Sequence, residues 1–421
     1  MTPQVLSAES HEAVPDTAGG LRYMARQPIL DLRGQVHAYE LLFRDGLVNS
    51  FRGDLETASR TIVDNAVIFG MEEISAGLPA FVNCTEEVLT TDLVSVLPPA
   101  TTVLEILETV EPTPELIAAC RKFKSQGYHI ALDDFIWDAK YAPMVELADY
   151  IKVDFLGSHA SERLEVLQRV HGSRVKLVAE KIENLEEYKL ACQEGFTFFQ
   201  GYYFCRPVMM EKRKIPANRI HHLEILQLLQ RDPMDFRRLG PLVKSDASLT
   251  HRLLRLVNSA GYGVRQEIRS IQSALVIVGE DTFRRVAMLA IASELNTGRP
   301  AEILRMSLVR ARFCELAAAL GGLCPTEQYL LGMVSLFPAM LQVPMDQITP
   351  LLPLRGQIRD SLNGTANLER RLLSWLEAHE SGDWDGSDAI AQAGRLNREM
   401  LFRFYAEAVP WAEAALRSAT S

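Results

Sequence analysis

No apolar run in this chain approaches the ~20 residues that a membrane-spanning helix needs. The opening stretch MTPQVLSAESHEAVPDTAGG has neither the basic start nor the apolar centre of a secretory signal. Residues 1–21 therefore read as a disordered lead-in, and the protein as cytoplasmic with no membrane partner. Paired cysteines are also missing. Cys84, Cys120, Cys192, Cys205, Cys314 and Cys324 include no CxxC spacing, so neither a zinc knuckle nor a redox pair is indicated. Scattered, reduced thiols suit the cytosol, and Cys84, which follows Asn83, reads as a small packing residue. Positive charge is short: 44 Lys and Arg face 54 Asp and Glu, for a net charge of −10. The deficit lies in the first half, where residues 21–210 hold 28 acids and 18 bases. Residues 211–421 hold 23 acids and 26 bases, too slight an excess to expect direct nucleic-acid binding.

What is present is ample apolar content, 48% over 421 residues, enough for two or three domains with packed cores. In the first half, short β-rich segments alternate with helical ones. TPELIAACRKFKSQG has Pro in its first turn and Gly at its end, the usual helix asymmetry, and SERLEVLQRVHG and NLEEYKLACQEG likewise end in Gly. TASRTIVDNAVIFGMEEI also has helical spacing. The strands nearly all end in a polar group: VHAYE at Glu40, AFVN at Asn83, VLE at Glu105, HIALDD at Asp133 and Asp134, KLVAE at Glu180 and FTFFQ at Gln200. YIKVD carries Lys152 and Asp154. Any one of these alone is an ordinary loop or capping residue. Their shared place in a consistent strand–helix order points to an α/β barrel, whose active site gathers at the carboxyl ends of its strands. Clustered acidic oxygens suit Mg²⁺ or Mn²⁺.

Beyond about residue 215 strand-like alternation stops. HHLEILQLLQ, FRRLGPLVKS, SLTHRLLRLVNSA, IRSIQSALVIVG, TFRRVAMLAIASEL, ILRMSLVRARFCELAAAL, QYLLGMVSLFPAML, LERRLLSWLEAHE and MLFRFYAEAVPWAEAALR all have helical spacing. An all-α domain over 215–415 is expected.

The ordered stretches QPILDLRGQVHAYELLFR, FVNCT, LEILE, ALDDF, IKVDF, VAEKIE and QGYYFCRP resemble the EAL domain of bacterial cyclic-di-GMP phosphodiesterases over residues 22–208. The helical half resembles the HDOD domain through SLTHRLLRLVNSAGYG, IRSIQSALVIVGEDTFRRVAML, GMVSLFPAML and HESGDWDGSDAIA. The resemblance implies a TIM-like barrel followed by an all-α domain in a signalling protein. It implies metal ligation by Glu40, Asn83, Glu105 and Asp133, with Asp134 and Asp154 at the positions linked to a second metal. Lys152 and Glu180 match residues that position or activate the attacking water. Gln200 matches a pocket amide, and Gln27 and Arg44 match dinucleotide contacts. Two cations about 3.5–4 Å apart would activate the water and stabilise an in-line transition state, giving pGpG.

Several positions depart from that pattern. The family's Glu-Ala-Leu reads Glu40-Leu41-Leu42, with Leu41 expected to face away from the barrel interior by strand alternation. Phe135-Ile136-Trp137-Asp138 stands where active members have Phe-Gly-Thr-Gly. Losing both glycines makes φ > 0 costly, a bulky Trp is expected in the space of a mobile loop, and Glu108, the family's loop tether, is expected to lose its partner. Lys181 replaces a Gly; its ammonium would compete with a metal if it pointed inward, but solvent is the expected direction. None of the nine histidines precedes an Asp, so the helical half lacks the His-Asp pair of metal-dependent HD phosphohydrolases. His221, His222 and His251 read as structural, and the domain as a non-catalytic module that meets a protein partner.

Three readings follow: a cyclic-di-GMP regulator with little hydrolysis that signals through the helical half, a working Mg²⁺- or Mn²⁺-dependent phosphodiesterase, and a nucleotide-independent adaptor. The altered loop favours the first and third. The retained acids favour the first and second, because like charges repel and stability alone gives little reason to cluster them. Restoring Gly-Thr-Gly at Ile136-Trp137-Asp138 is expected to raise turnover. The short linker around Arg206–Arg219, with Pro207 and Pro216, implies a shared interface between the halves.

Overall fold

Alternation of inward and outward side chains along eight short strands closes the first half into a barrel, in the order β1 to β8. The strands are β1 (Arg22–Asp31), β2 (Val36–Asp45), β3 (Ala80–Cys84), β4 (Thr102–Ile106), β5 (His129–Leu132), β6 (Tyr150–Asp154), β7 (Lys176–Glu180) and β8 (Phe198–Gln200). The computed structural model describes residues 22–45, 71–201, 203–205, 217–229, 234–258, 268–352 and 354–420. The lead-in, the linker residues 206–216 and all of the expected TASRTIVDNAVIFGMEEI helix except Met71–Ile74 lie outside these residues.

The barrel departs from a regular (β/α)8 plan at its start. β1 runs antiparallel to both β2 and β8, while β2 to β8 pair in parallel. The reason is local. Only four residues, Leu32–Gln35, join β1 to β2, and the Arg33 and Gln35 N–H groups both donate to the Asp31 carboxylate. A parallel pair needs a crossover of a dozen or more residues.

One layer of inward side chains plugs the barrel: Ile29, Ala38, Phe81, Val103, Ala131, Tyr150 and Val178, with Phe198 packed against them. Outward residues of the same strands pack under the surrounding helices in a second cluster. This includes Leu41 of β2 and Phe123 of the helix Pro114–Ser125, which Thr113 caps by accepting from the Leu116 N–H. Leu41 thus faces away from the interior, as alternation requires.

The second half is helical from Ala217 to Thr420 among the described residues. The stretch QYLLGMVSLFPAML forms two helices, Pro325–Val334 and Phe337–Leu341, and not one. Pro338 sits in the first turn of the second helix, where its missing N–H costs nothing, so the chain breaks and restarts there. The two halves share an interface. Leu30 of β1 and Phe204 belong to the same buried cluster as the helical core around Trp375. A buried polar network runs alongside. Arg26 donates to Glu413 at 2.8 Å, the Tyr39 hydroxyl donates to Glu302 at 2.9 Å, and Arg305 reaches Tyr39, Glu302 and Glu413.

Candidate functional site

The site residues stand one strand period above the apolar plug. Two residues beyond Ala38, Phe81, Val103, Ala131, Tyr150, Val178 and Phe198 come Glu40, Asn83, Glu105, Asp133, Lys152, Glu180 and Gln200. Side chains two apart on a strand share a face, so a ring of polar groups follows directly on a ring of apolar ones. In the antiparallel β1 the same step runs backwards, from Ile29 to Gln27, which pairs with Glu40 in register. Asp154, a further step along β6, pairs with Glu180.

Lys152 is the hub, with its side chain 1% exposed. Its ammonium donates to Glu40 and Asp133, each at 3.1 Å, and to Glu105, and it forms an ion pair with Glu180 at 2.7 Å. The Gln200 amide nitrogen donates to Glu40 at 2.6 Å and to Gln27 at 2.8 Å. Asn83 donates to Glu40 at 3.5 Å. One ammonium faces four carboxylates. Burial, then Glu40, pushes Glu105 well above the ordinary carboxyl range despite Lys152. Burial likewise pushes Glu180 up to about 8, with Lys152 opposing. Burial works against Lys152 as a cation, but the surrounding carboxylates outweigh it and hold its pKa well above the usual value.

The cluster has room for a cation. Asn83 Oδ1, Glu105 Oε2 and Gln200 Oε1 are buried with no hydrogen-bond partner. Unsatisfied buried oxygens are costly, and three of them around surplus negative charge fit a hard, oxygen-seeking ion. Ligand oxygens of Glu40, Glu105 and Glu180 lie within 4.8 Å of one another, as do those of Asp133, Asp134 and Glu180.

Asp134 and Asp154 form a second, shallower pair on the rim. Between them lies the Lys181 ammonium, 2.6 Å from Asp154 Oδ2 and 3.3 Å from Asp134 Oδ2. The Lys181 side chain is half-exposed, in line with the solvent-facing expectation, yet its ammonium also reaches both rim aspartates. Regular alternation after Glu180 would send it outward, but Lys181 has φ +56°. That left-handed turn brings the side chain back over the mouth. Burial works against the Asp154 carboxylate, yet the Lys181 hydrogen bond and the Gly157 and Leu156 N–H groups hold its pKa below the usual value.

The loop after Asp134 also differs from expectation. Trp137 does not fill the mouth. Its ring carries the Arg169 guanidinium at 4.6 Å and packs against the barrel's outer cluster. Phe135 is buried beside it and Ile136 is exposed. Apolar bulk without glycine is drawn to the nearest apolar surface, here the flank of the barrel. Glu108 is exposed and lines a side cleft with Asp133, Asp134, Phe135 and Ile136. Among the described residues it has no hydrogen bond. The side chain of Arg44 lies outside the described set.

A cavity of about 790 Å³ opens over this cluster, within the range of small-molecule sites. Gln27, Glu40, Lys152, Glu180 and Gln200 form its floor, and Arg310, Leu336, Glu377, Gly382 and Trp384 of the helical half form its far wall. The turn after the helix Leu368–Glu380 seats on the barrel. Gly382 has φ +72°, which favours glycine, and a Cβ there would press on Leu42 Cδ1 at 2.8 Å. Sequence reasoning missed this wall, as well as Arg26, Tyr39, Glu302, Arg305 and Glu413. Docking between distant segments leaves no local period to read.

Comparison with known proteins places this geometry in a family. The EAL domain model matches residues 83–207 and the HDOD domain model residues 215–335, each narrower than the expected 22–208 and 215–415. The uncharacterized protein YuxH of Bacillus subtilis is 32% identical over 92% of this chain and 97% of its own. The cyclic di-GMP phosphodiesterase CdgJ of Vibrio cholerae is 33% identical over 86% of each. A solved structure of Klebsiella pneumoniae BlrP1, a calcium/cyclic-di-GMP complex, is 20% identical with a TM-score of 0.38, over 45% of this chain and 57% of that one. The chain belongs to the family of proteins in which an EAL domain precedes an HDOD domain. No helix among the described residues is long and apolar enough to cross a membrane.

Proposed function

We propose that this EAL–HDOD chain is a cyclic-di-GMP regulator. Its barrel mouth binds the nucleotide with Mg²⁺ or Mn²⁺, turns it over slowly, and passes its occupancy to the helical half. The observation that carries this reading is the cavity over the mouth, whose two walls come from the two halves. A ligand seated there would touch both at once, and a ligand shifts only those states that it binds unequally. The name of the Vibrio cholerae relative supports the choice of ligand.

Glu40, Asn83, Glu105 and Asp133 would hold the cation, which supplies an acidified water and screens the charge that develops on a phosphoryl group. Lys152 and Glu180 stand beside that position. Lys152 offers a fixed positive charge, and Glu180, with its pKa pushed up to about 8 by burial, is suited to hold a proton. Gln27 and Gln200, already bonded to each other, form a polar shelf for the nucleotide edge. Two features support slow turnover: the glycine-free loop that packs away on Arg169, and the Lys181 ammonium on the rim aspartates. Misplacing reacting groups by ~1 Å can cost about 10²-fold in rate. The helical half serves as output module for a protein partner.

A working phosphodiesterase is the second reading, favoured by the complete Glu40, Asn83, Glu105 and Asp133 set around Lys152. The test combines two measurements on the full chain: turnover of cyclic-di-GMP with Mg²⁺ or Mn²⁺, and calorimetric binding in Ca²⁺. The proposal expects binding with turnover far below that of an intact EAL enzyme. Rapid turnover selects the phosphodiesterase, and absence of binding with every metal leaves only the adaptor.

A further inference from the structure

Among the described residues Lys181 is the one ammonium that sits on the rim aspartates, and the backbone puts it there. Glu180 before it ends β7, and Ile182 after it is fully buried. The Ile182 N–H donates to the Gln200 carbonyl at 3.0 Å, and its carbonyl accepts from the Tyr203 N–H at 3.1 Å. Gly201 lies so close that a Cβ there would meet the Ile182 carbonyl oxygen at 2.2 Å. The chain is therefore pinned on both sides of Lys181, whose own φ of +56° is unusual for a residue with a side chain. From that fixed base the ammonium bridges Asp154 and Asp134. Asp154 is itself held in place by the Leu156 and Gly157 N–H groups, at 2.9 and 2.8 Å.

We propose that the Lys181 ammonium is a tethered monovalent cation that takes the place of a second divalent ion, so that this mouth holds one metal and not two. This rests on the cation-binding reading above. The deep oxygens that lack partners, Asn83 Oδ1 and Glu105 Oε2, remain available for the first ion. The rim carboxylates do not, because their outer oxygens already accept from Lys181. A divalent ion bound there would sit at ~2–2.6 Å from those oxygens, within close repulsive range of the ammonium, and could enter only after Lys181 had swung away. Lys181 is half-exposed, so such a swing is sterically open. Functionally, the ammonium offsets one of the two rim charges but supplies no Lewis acid to activate water or polarise a leaving oxygen. That combination retains binding while slowing hydrolysis.

The test is Mn²⁺ stoichiometry on the metal-free full chain, read by electron paramagnetic resonance with and without saturating cyclic-di-GMP. The unaltered chain should take up one Mn²⁺ with an isolated-ion spectrum. Lys181→Gly, which also suits the left-handed backbone, should take up two with the spectrum of a coupled pair. Lys181→Met keeps the length and backbone demand but removes the charge, and should likewise bind the second ion at least 10-fold more tightly than the unaltered chain does. Two coupled ions in the unaltered chain, or one ion in both variants, would overturn the tether while leaving the cation site intact. No Mn²⁺ in any of the three proteins would instead overturn the cation site itself, and the tether with it.

Discussion

Lys152 and Lys181 are both single ammoniums among carboxylates, but they differ in depth and in how each could be read. Lys152 is buried against four acids, so its charge cannot be removed without leaving them uncompensated. Breaking such a buried pairing typically costs about 3–5 kcal/mol. Lys152→Met should therefore lower the thermal midpoint of the metal-free protein markedly, and Mn²⁺ should restore much of the loss by supplying the missing charge. A variant equally stable with and without Mn²⁺ would show that the cluster is not balanced in this way. The ring around Lys152 was legible because each member follows an apolar residue two positions earlier, although β2 runs on past Glu40 to Asp45. Lys181 was not, because alternation holds only while the strand stays extended, and its left-handed φ ends that rule at one residue.

At the scale of elements, the loop after Asp134 shows where pattern stops short of placement. Its missing glycines were plain in the sequence, but whether Trp137 blocked the mouth or left it could be decided only by what lay nearby. Arg169, on the helix Ala160–Val170, offers the cation that holds the ring outside. Replacing Ile136-Trp137-Asp138 by Gly-Thr-Gly should therefore release the loop at the cost of the Arg169 stacking contact, about 0.5–1 kcal/mol, together with the apolar packing of Trp137 and the Asp138 cap on the Lys140 N–H. Its gain in turnover should stay small while Lys181 remains and grow when Lys181→Gly is added, as initial rates with Mn²⁺ would show. A full restoration by the loop alone would place the whole defect in the glycines. Most helices of the second half were readable from their 3.6-residue period, including Leu368–Glu380 at its observed limits, but Gly356–Leu362 and Trp384–Gly394 were not singled out. The antiparallel β1 was not, since its inward residues alternate in the same way in either direction.

For the whole molecule, the same two strands serve both jobs. On β1 and β2, Gln27 and Glu40 face the mouth, while their neighbours Arg26 and Tyr39 bind Glu413 and Glu302 of the helical half. Under the proposed function, occupancy of the mouth would bear on the interface through one residue of backbone, in addition to the wall that carries Gly382 and Trp384. Two domains could be read from the change in periodicity near residue 215, but not their docking, which depends on pairs 263 and 387 residues apart. The most direct test of the account is hydrogen exchange on the full chain with Ca²⁺, with and without cyclic-di-GMP. The account predicts slower exchange at the mouth and also in the helix Ala301–Ala317 and around Ser381–Trp384. Glu40→Ala should abolish both changes, whereas Arg26→Met should retain the change at the mouth and weaken the one in Ala301–Ala317. Nucleotide binding that leaves the exchange of the helical half unchanged would contradict the account.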